Sequence, residues 1–344
     1  MPLLIINPIE FPRWNESLRS LPGHSFFHTA SWAKTLQISY GYQPYYFTLW
    51  EGGRLSALLP CMGIVSRLTG KRGVCLPFTD YCEPIVSDAA QFPEMFAAAV
   101  DFGNKHKWKY LEIRGGESFF PNEEPSEWHY GHTLDLTVGP QKILSGLRDS
   151  TRRNILKAEK AGIEITVTAT PEALKVFCRL NDLTRRDHGL PPQPSHFFRN
   201  VQDQILSQEM GFVVLASSGG TAIAANMYFC HGDQLIFKYG ASDTVGRDLR
   251  ANNLVMWEAI KSGCERGHSA LCFGRTEPQN EGLRQFKAGW GGRERIIKYY
   301  RYGLPTGTFI KAPVISKPVY EQIFSKLPIP VLKLLGSILY RHMG

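Results

Sequence analysis

The chain reads as an α/β (α+β) protein made of two related units, each a mixed, mostly antiparallel sheet flanked by helices. Three observations predict this. Helix-like and strand-like runs follow one another along 344 residues, a length that accommodates two ordinary cores. Each half contains a hairpin turned on glycines. After the run His132–Leu136 the order of elements starts again, which sets the units at residues 1–137 and 138–305 and leaves 306–344 as an amphipathic tail.

Met1–Pro8 suits an opening strand. Ser25–Tyr40 predicts a helix with Trp32, Leu36 and Ile38 on its apolar side, stopped by Gly41. Tyr45–Trp50 and Leu55–Cys61 form a hairpin through Gly52-Gly53, and a strand-like stretch Val74–Phe78 leads into a loop at Asp80 and Tyr81. Ala89–His106 predicts a helix and Lys109–Ile113 a strand; Pro121–Pro125 then breaks the pattern. In the second unit, helices are expected over Pro140–Ala161, Pro171–His188, Phe197–Gln208 and Ala251–Arg266. Strands are expected at Ile163–Val167, Phe212–Ser217, Ala222–Cys230, Gln234–Tyr239, Ala270–Phe273 and Arg295–Tyr302.

An apolar fraction of 43% and a charged fraction of 20% belong to globular proteins rather than disordered or fibrous ones. Seven cysteines lie scattered with no Cys-x-x-Cys pair, which fits reduced thiols better than a disulfide framework or a zinc site, so no metal is expected. The opening apolar run is too short for a signal peptide, and no run of 18 apolar residues suggests a membrane span. A cytoplasmic protein is expected, peripheral at most at the inner membrane face. The formal net charge of +8 favours polyanionic partners.

One segment carries chemical content: Phe273-Gly274-Arg275-Thr276, then Gly282-Leu283-Arg284-Gln285-Phe286-Lys287-Ala288-Gly289-Trp290-Gly291. A short strand ends in a Gly-Arg turn, and a compact helix carries Lys287 before closing on glycines. That order sets a cation beside a bound anionic group; the plainer reading is a solvated lysine favoured by the helix dipole. A second basic cluster, Arg148–Gly162, spreads Arg152 and Arg153 over neighbouring helical faces.

These segments resemble the FemABX-like peptidyltransferases and acyltransferases of the GNAT superfold, whose last helix carries Gly-Leu-x-x-Phe-Lys ahead of a Gly-rich turn. The resemblance implies an N-acyl or aminoacyl transferase moving an activated acyl group to an amine of a cell-envelope precursor, either a peptidoglycan peptide or a polysaccharide. It implies catalytic roles for Lys287, against the oxyanion or donor phosphate, and for Arg275. Acyl-CoA enzymes of the superfold cradle the pyrophosphate with Gln/Arg-x-x-Gly-x-Gly/Ala. Here the matching stretch is Arg247-Asp248-Leu249-Arg250-Ala251-Asn252, without the glycines. No tightly bound cofactor is expected; the cosubstrate is an activated acyl donor, namely aminoacyl-tRNA, acyl-CoA or acyl carrier protein.

Arg152, Arg153, Arg247, Arg250 and Asn252 are the candidates for phosphate or acceptor binding, with exposed surface positions as the alternative. Tyr239 either lines the cleft or finishes a strand. Asp187 and His188 serve as base and orienting group, or simply cap a helix. In the first unit, Phe27–Trp32 and Tyr40–Pro44 are similar to the family's N-terminal segment, and a diphosphate-binding lysine of some relatives falls near Lys34, so Trp32 and Lys34 join the substrate candidates. Cys272 stands where relatives often have an acid and reads as a core residue.

Two other readings stand beside this one: an acyl-CoA or acyl-carrier-protein N-acyltransferase on a sugar nucleotide or exopolysaccharide precursor, and a catalytically inactive GNAT-like binding module. The partners implied are a phosphorylated envelope precursor, tRNA or acyl carrier protein, and an anionic membrane touched through the tail. That tail, Val319–Met343 with Lys317, Lys326, Lys333 and Arg341, either lies on such a membrane or docks on the protein body, with Pro328 and Pro330 breaking it into short pieces.

Overall fold

The computed structural model describes residues 2–311 and 323–344. It divides into two compact units, neither continuous in sequence: Met1–His129 with Ile296–Ile315 and Ile338–Gly344, and Tyr130–Arg295 with Ser316–Ser337.

The first unit opens with β1 (Leu3–Ile6), α1 (Trp14–Arg19) and α2 (Ala30–Tyr40), and continues with β2 (Gln43–Pro44), β3 (Tyr46–Glu51) and β4 (Arg54–Leu59). It adds β5 (Met62–Ser66), β6 (Gly70–Val74), β7 (Ile85–Val86), α3 (Gln91–Lys105) and β8 (Tyr110–Arg114). The expected helix from Ser25 is in fact a 3-10 turn, Phe26–His28, followed by α2. Thr29 separates them: its hydroxyl accepts the Trp32 N–H at 3.3 Å and so starts a new helix. Gly41, at φ 75°, ends α2 as the sequence predicts.

In this unit β1, β3, β4 and β7 form one antiparallel sheet. The hairpin of β5 and β6, which the sequence reading missed, pairs β5 with β2 and sets β6 parallel to β8. Phe47, Leu49, Ala57, Leu59, Met95, Leu111 and Ile113 fill the core beneath α3.

The second unit runs from the later part of β9 (Glu127–Asp135) through α4 (Pro140–Gly146), α5 (Asp149–Lys160), β10 (Glu164–Thr168), α6 (Pro171–Asp187) and α7 (Ser195–Gln204). β11 (Gly211–Ser218), β12 (Thr221–His231) and β13 (Gln234–Ser242) follow as an antiparallel meander on β10. The short α8 (Thr244–Asp248), α9 (Ala251–Glu265), β14 (Ala270–Thr276) and α10 (Glu281–Ala288) lead to the start of β15 (Arg293–Gly303). β16 (Thr308–Ile310) pairs with β15 in the first unit.

The single helix expected over Pro140–Ala161 is two. The Arg148 N–H donates to Gly289 O at 3.1 Å instead of continuing the helical ladder, and Leu147 is extended, with ψ 147°. Because α9 carries the chain from β13 to β14, these two strands are parallel. Phe212, Val214 and Ala216 alternate along β11 into a core shared with Ile155, Ala158, Leu254 and Ile260.

For the tail, α11 (Ile329–Leu339) is helical, while Lys317 and Val319 lie outside the described residues. Leu332 and Tyr340 are buried, and Lys333 Nζ bonds Asp182 at 3.1 Å. A Cβ added to Gly336 would meet Pro192 O at 2.1 Å. These described tail residues therefore dock on protein. Among the described residues no helix is long and apolar enough to cross a membrane.

Candidate functional site

In the second unit β13 and β14 part toward their C-terminal ends. They pair only from Gln234↔Ala270 to Ile236↔Cys272, although β13 continues to Ser242 and β14 to Thr276. A bulge between β12 and β13, at Met227/Tyr228, increases the local twist just beyond the last shared pair.

β14 has a bulge of its own. Cys272 pairs with Thr133 and Arg275 with Gly131, so Phe273 and Gly274 together oppose His132. Gly274 supplies the left-handed conformation this requires, at φ 69°. The bulge turns two successive carbonyls toward α10, and the Lys287 ammonium donates to both, at 3.2 Å to Gly274 O and 2.8 Å to Arg275 O. Lys287 is only 2% exposed. It is therefore not the solvated lysine of the plainer reading.

Beside it sits a cluster with no precedent in the sequence reading. His132, 1% exposed, has Nε2 3.1 Å from Glu294 Oε2, a close but poorly aligned contact. Glu294 is gripped by both Arg284 Nε and Nη2, at 2.8 and 2.7 Å, and the guanidinium lies over the Tyr130 ring at 3.7 Å. Burial pushes the His132 pKa down, and the charges of Lys287 and Arg284 push the same way against the opposing pull of Glu294. The bond from Arg284 holds the Glu294 carboxyl below its usual range. His132 is neutral near neutral pH. No sequence signal joins residues from 130 to 294; only the sheet register does.

The remaining second-unit candidates occupy three places. At the end of β13, Arg247 reaches Asp187 at 3.0 Å and Thr244 at 3.2 Å, while Asn252 Nδ2 donates to Ser242 Oγ at 3.1 Å. Arg250 is the exposed left-handed residue, φ 63°, that opens α9 without a side-chain cap. His188 is the C-cap of α6, as the capping alternative has it, and Asp187 is occupied by the Arg247 ion pair. Tyr239 lies among the rings of Phe177, Phe198 and Phe229. Arg152 donates to Ser145 O at 3.4 Å and Leu147 O at 3.3 Å, so its guanidinium closes the end of α4, whereas Arg153 is exposed.

In the first unit, Lys34 is exposed on α2, but Trp32 is 0% exposed and packs edge-on against Phe26 and Phe27. Its indole builds core rather than an accessible binding surface. Cys272 is a core residue, as expected, and accepts the Gly274 N–H at 3.4 Å.

Between β13 and α9, where the superfold's phosphate loop would run, stands α8. The Asp243 carboxylate accepts the Gly246 N–H at 2.8 Å. A Cβ on Gly246 would lie 2.3 Å from Ile223 O, so this turn is packed tightly against β12.

Residues 145–288 match the family model of the acetyltransferase (GNAT) domain. That stretch, within the second unit, is a GNAT-type acyltransferase domain. FemX is similar at TM-score 0.71 and 14% identity, over 89% of this chain and 98% of that one. L-PGS from Bacillus licheniformis is similar at TM-score 0.55 and 14% identity, over 93% and 97%. A tandem GNAT protein from the clavulanic acid biosynthesis pathway is similar at TM-score 0.55 and 10% identity, over 88% and 98%. At such identities the likeness is one of fold, and it is the FemX-like tandem fold that the sequence resemblance implies. No curated protein matches the chain by sequence.

Proposed function

We propose that this acyltransferase moves an aminoacyl or other activated acyl group to an amine of a cell-envelope precursor, taking its donor from a carrier other than free coenzyme A. The observation that carries the donor half is the stretch Arg247–Asn252 leading into α9: it lacks the glycines that let a pyrophosphate approach the backbone, and Arg250 rather than glycine holds its left-handed position. The acceptor half rests on the likeness to FemX and is the finer part of the proposal.

In this reading the acceptor amine attacks the activated carbonyl between the parted strands β13 and β14. Negative charge develops on the carbonyl oxygen, and a fixed cation acts most strongly there. Lys287 supplies that cation, its position set by Gly274 O and Arg275 O. Arg275, 3.6 Å from Glu277, and the exposed Arg153 and Arg250 of the second unit are the groups proposed to meet phosphate on donor or acceptor. A peripheral position at an anionic membrane face completes the proposal, since envelope precursors are assembled there.

The test is transfer by the pure protein from labelled aminoacyl-tRNA, acyl-CoA and acyl carrier protein, each offered with envelope precursors. Transfer from aminoacyl-tRNA or acyl carrier protein alone supports the reading. Saturable transfer from acyl-CoA overturns the donor half and promotes an acyl-CoA-dependent N-acyltransferase.

A further inference from the structure

The β5–β6 hairpin of the first unit ends in a turn whose large apolar side chains face water. Val65 is 70% exposed and Leu68 is 67% exposed, and in the same unit Ile338 and Met343 are 51% and 56% exposed. Single exposed aliphatics are ordinary. These four belong to two segments that the structure fixes to each other.

The fixing is specific. Ser66 Oγ lies 3.0 Å from His342 Nδ1, and the same hydroxyl receives the Leu68 and Thr69 N–H groups at 3.1 and 2.9 Å. The buried Arg72 guanidinium donates to His342 O and Gly344 O, both at 2.8 Å, and Tyr42 OH donates to Tyr340 O at 3.1 Å. Lys109 Nζ reaches Thr69 O at 3.2 Å. The turn and the segment after Ile338 therefore present one preformed surface.

Its charge has one sign. Arg67, Lys71, Lys109 and Arg341 are exposed around the four apolar side chains. Residues 62–74, 102–109 and 338–344 contain no Asp or Glu. Protruding aliphatics ringed by cations suit a fluid anionic interface, in which the aliphatics enter the boundary between headgroups and acyl chains while the cations stay among phosphates. An acidic protein partner would need a matching concave face, and a hairpin tip offers nothing to enclose.

We propose that this face, the turn Val65–Thr69 together with Ile338–Met343, docks the protein peripherally on bilayers containing anionic phospholipid. It deepens the membrane clause of the proposed function and rests on that clause for its location. The surface is rigid, and its reach includes a hairpin far from the tail in sequence.

The experiment is co-sedimentation of the full chain with vesicles of phosphatidylcholine alone or mixed with phosphatidylglycerol. Wild-type protein should sediment with the anionic vesicles only, and less so as salt is raised. The double variant Val65→Ser/Leu68→Ser should bind at least roughly ten-fold more weakly, from the apolar burial lost, and Arg67→Gln roughly five-fold more weakly, from one cation near the surface. Both variants should keep the wild-type melting temperature, because the side chains are exposed. Failure of wild-type protein to sediment, or unchanged sedimentation of the double variant, overturns the proposal. The readout involves no turnover, so failure of the acyl-transfer reading would leave this result standing, and the reverse also holds.

Discussion

Replacing Lys287 by Met tests whether this lysine organises the end of β14 as well as acting on substrate. Met keeps the apolar stem and removes the ammonium, so little cavity is opened, but Gly274 O and Arg275 O lose their donor. A hydrogen bond to a charged group contributes about 1.5–3 kcal/mol. Removing a buried charge also relieves its desolvation, which offsets part of that loss, and a net destabilisation of about 3 kcal/mol is expected. For a domain of this size each kcal/mol moves the midpoint by roughly 2–4 °C, so calorimetry should record a fall of about 6–12 °C in the transition of the second unit. Turnover should fall by about 10²-fold beyond any loss of folded protein, as when one charge-stabilising donor is removed. A Lys287→Met protein melting within about 2 °C of wild type would refute the structural half of this reasoning. Unchanged turnover would remove Lys287 from the mechanism.

Three further outcomes follow from other residues. Because the stretch Arg247–Asn252 leading into α9 lacks the phosphate loop's glycines, free coenzyme A should give no saturable rise in melting temperature, and a clear shift at micromolar ligand would contradict the donor assignment. His28 is fully buried and desolvation depresses its pKa to about 4. The unfolded chain therefore takes up this proton first, and stability falls with a slope of up to about 1.4 kcal/mol per pH unit as pH drops from about 6.5 toward 4. Urea unfolding of His28→Gln should lack that slope, and equal slopes would discard the assignment. In the first unit, burial alone would raise the Glu112 pKa, but Arg114 and Arg301, at 2.8 and 2.7 Å, outweigh it and hold the carboxyl at about 2. Glu112→Gln leaves Arg114 facing a neutral group and Arg301 with Glu127 as its remaining carboxylate, and should cost about 3 kcal/mol by urea unfolding, with a loss below about 1 kcal/mol counting against a working buried pair.

How much of this was legible in the sequence depends on whether the deciding interaction is local. The meander β11–β13 was readable because Ser218-Gly219-Gly220 and His231-Gly232-Asp233 dictate tight turns between strands of high β propensity. The break between α4 and α5 was not, since its cause is a bond from Arg148 N–H to Gly289 O, 141 residues away in number alone. The β5–β6 hairpin hid because a single glycine, Gly70 at φ 86°, closes its turn Arg67-Leu68-Thr69, and the Ser66 hydroxyl satisfies the rest of the turn's backbone. Arginines named from sequence alone divided for the same reason: Arg152 serves carbonyls in its own neighbourhood, and Arg247 finds Asp187 on another helix.

Lys287 is the sharpest case of this division. Its place on a short helix after a Gly-Arg turn was readable. What was not readable is that β14 carries a bulge there, because a bulge exists only relative to a partner strand, and that partner is β9, more than a hundred residues earlier. The bulge explains why the strand's last carbonyls converge on one ammonium, and why His132, opposite it, lies in the field of that same charge. A histidine kept neutral beside a buried lysine leaves the lysine as the cation nearest the bulge at neutral pH. Protonating His132 would place a second positive charge there. Activity that depends on Lys287 should therefore change on the acid side as His132 titrates, and His132→Gln, which cannot titrate, should remove that change while Glu294→Gln, which removes the opposing carboxylate, should move it to still lower pH.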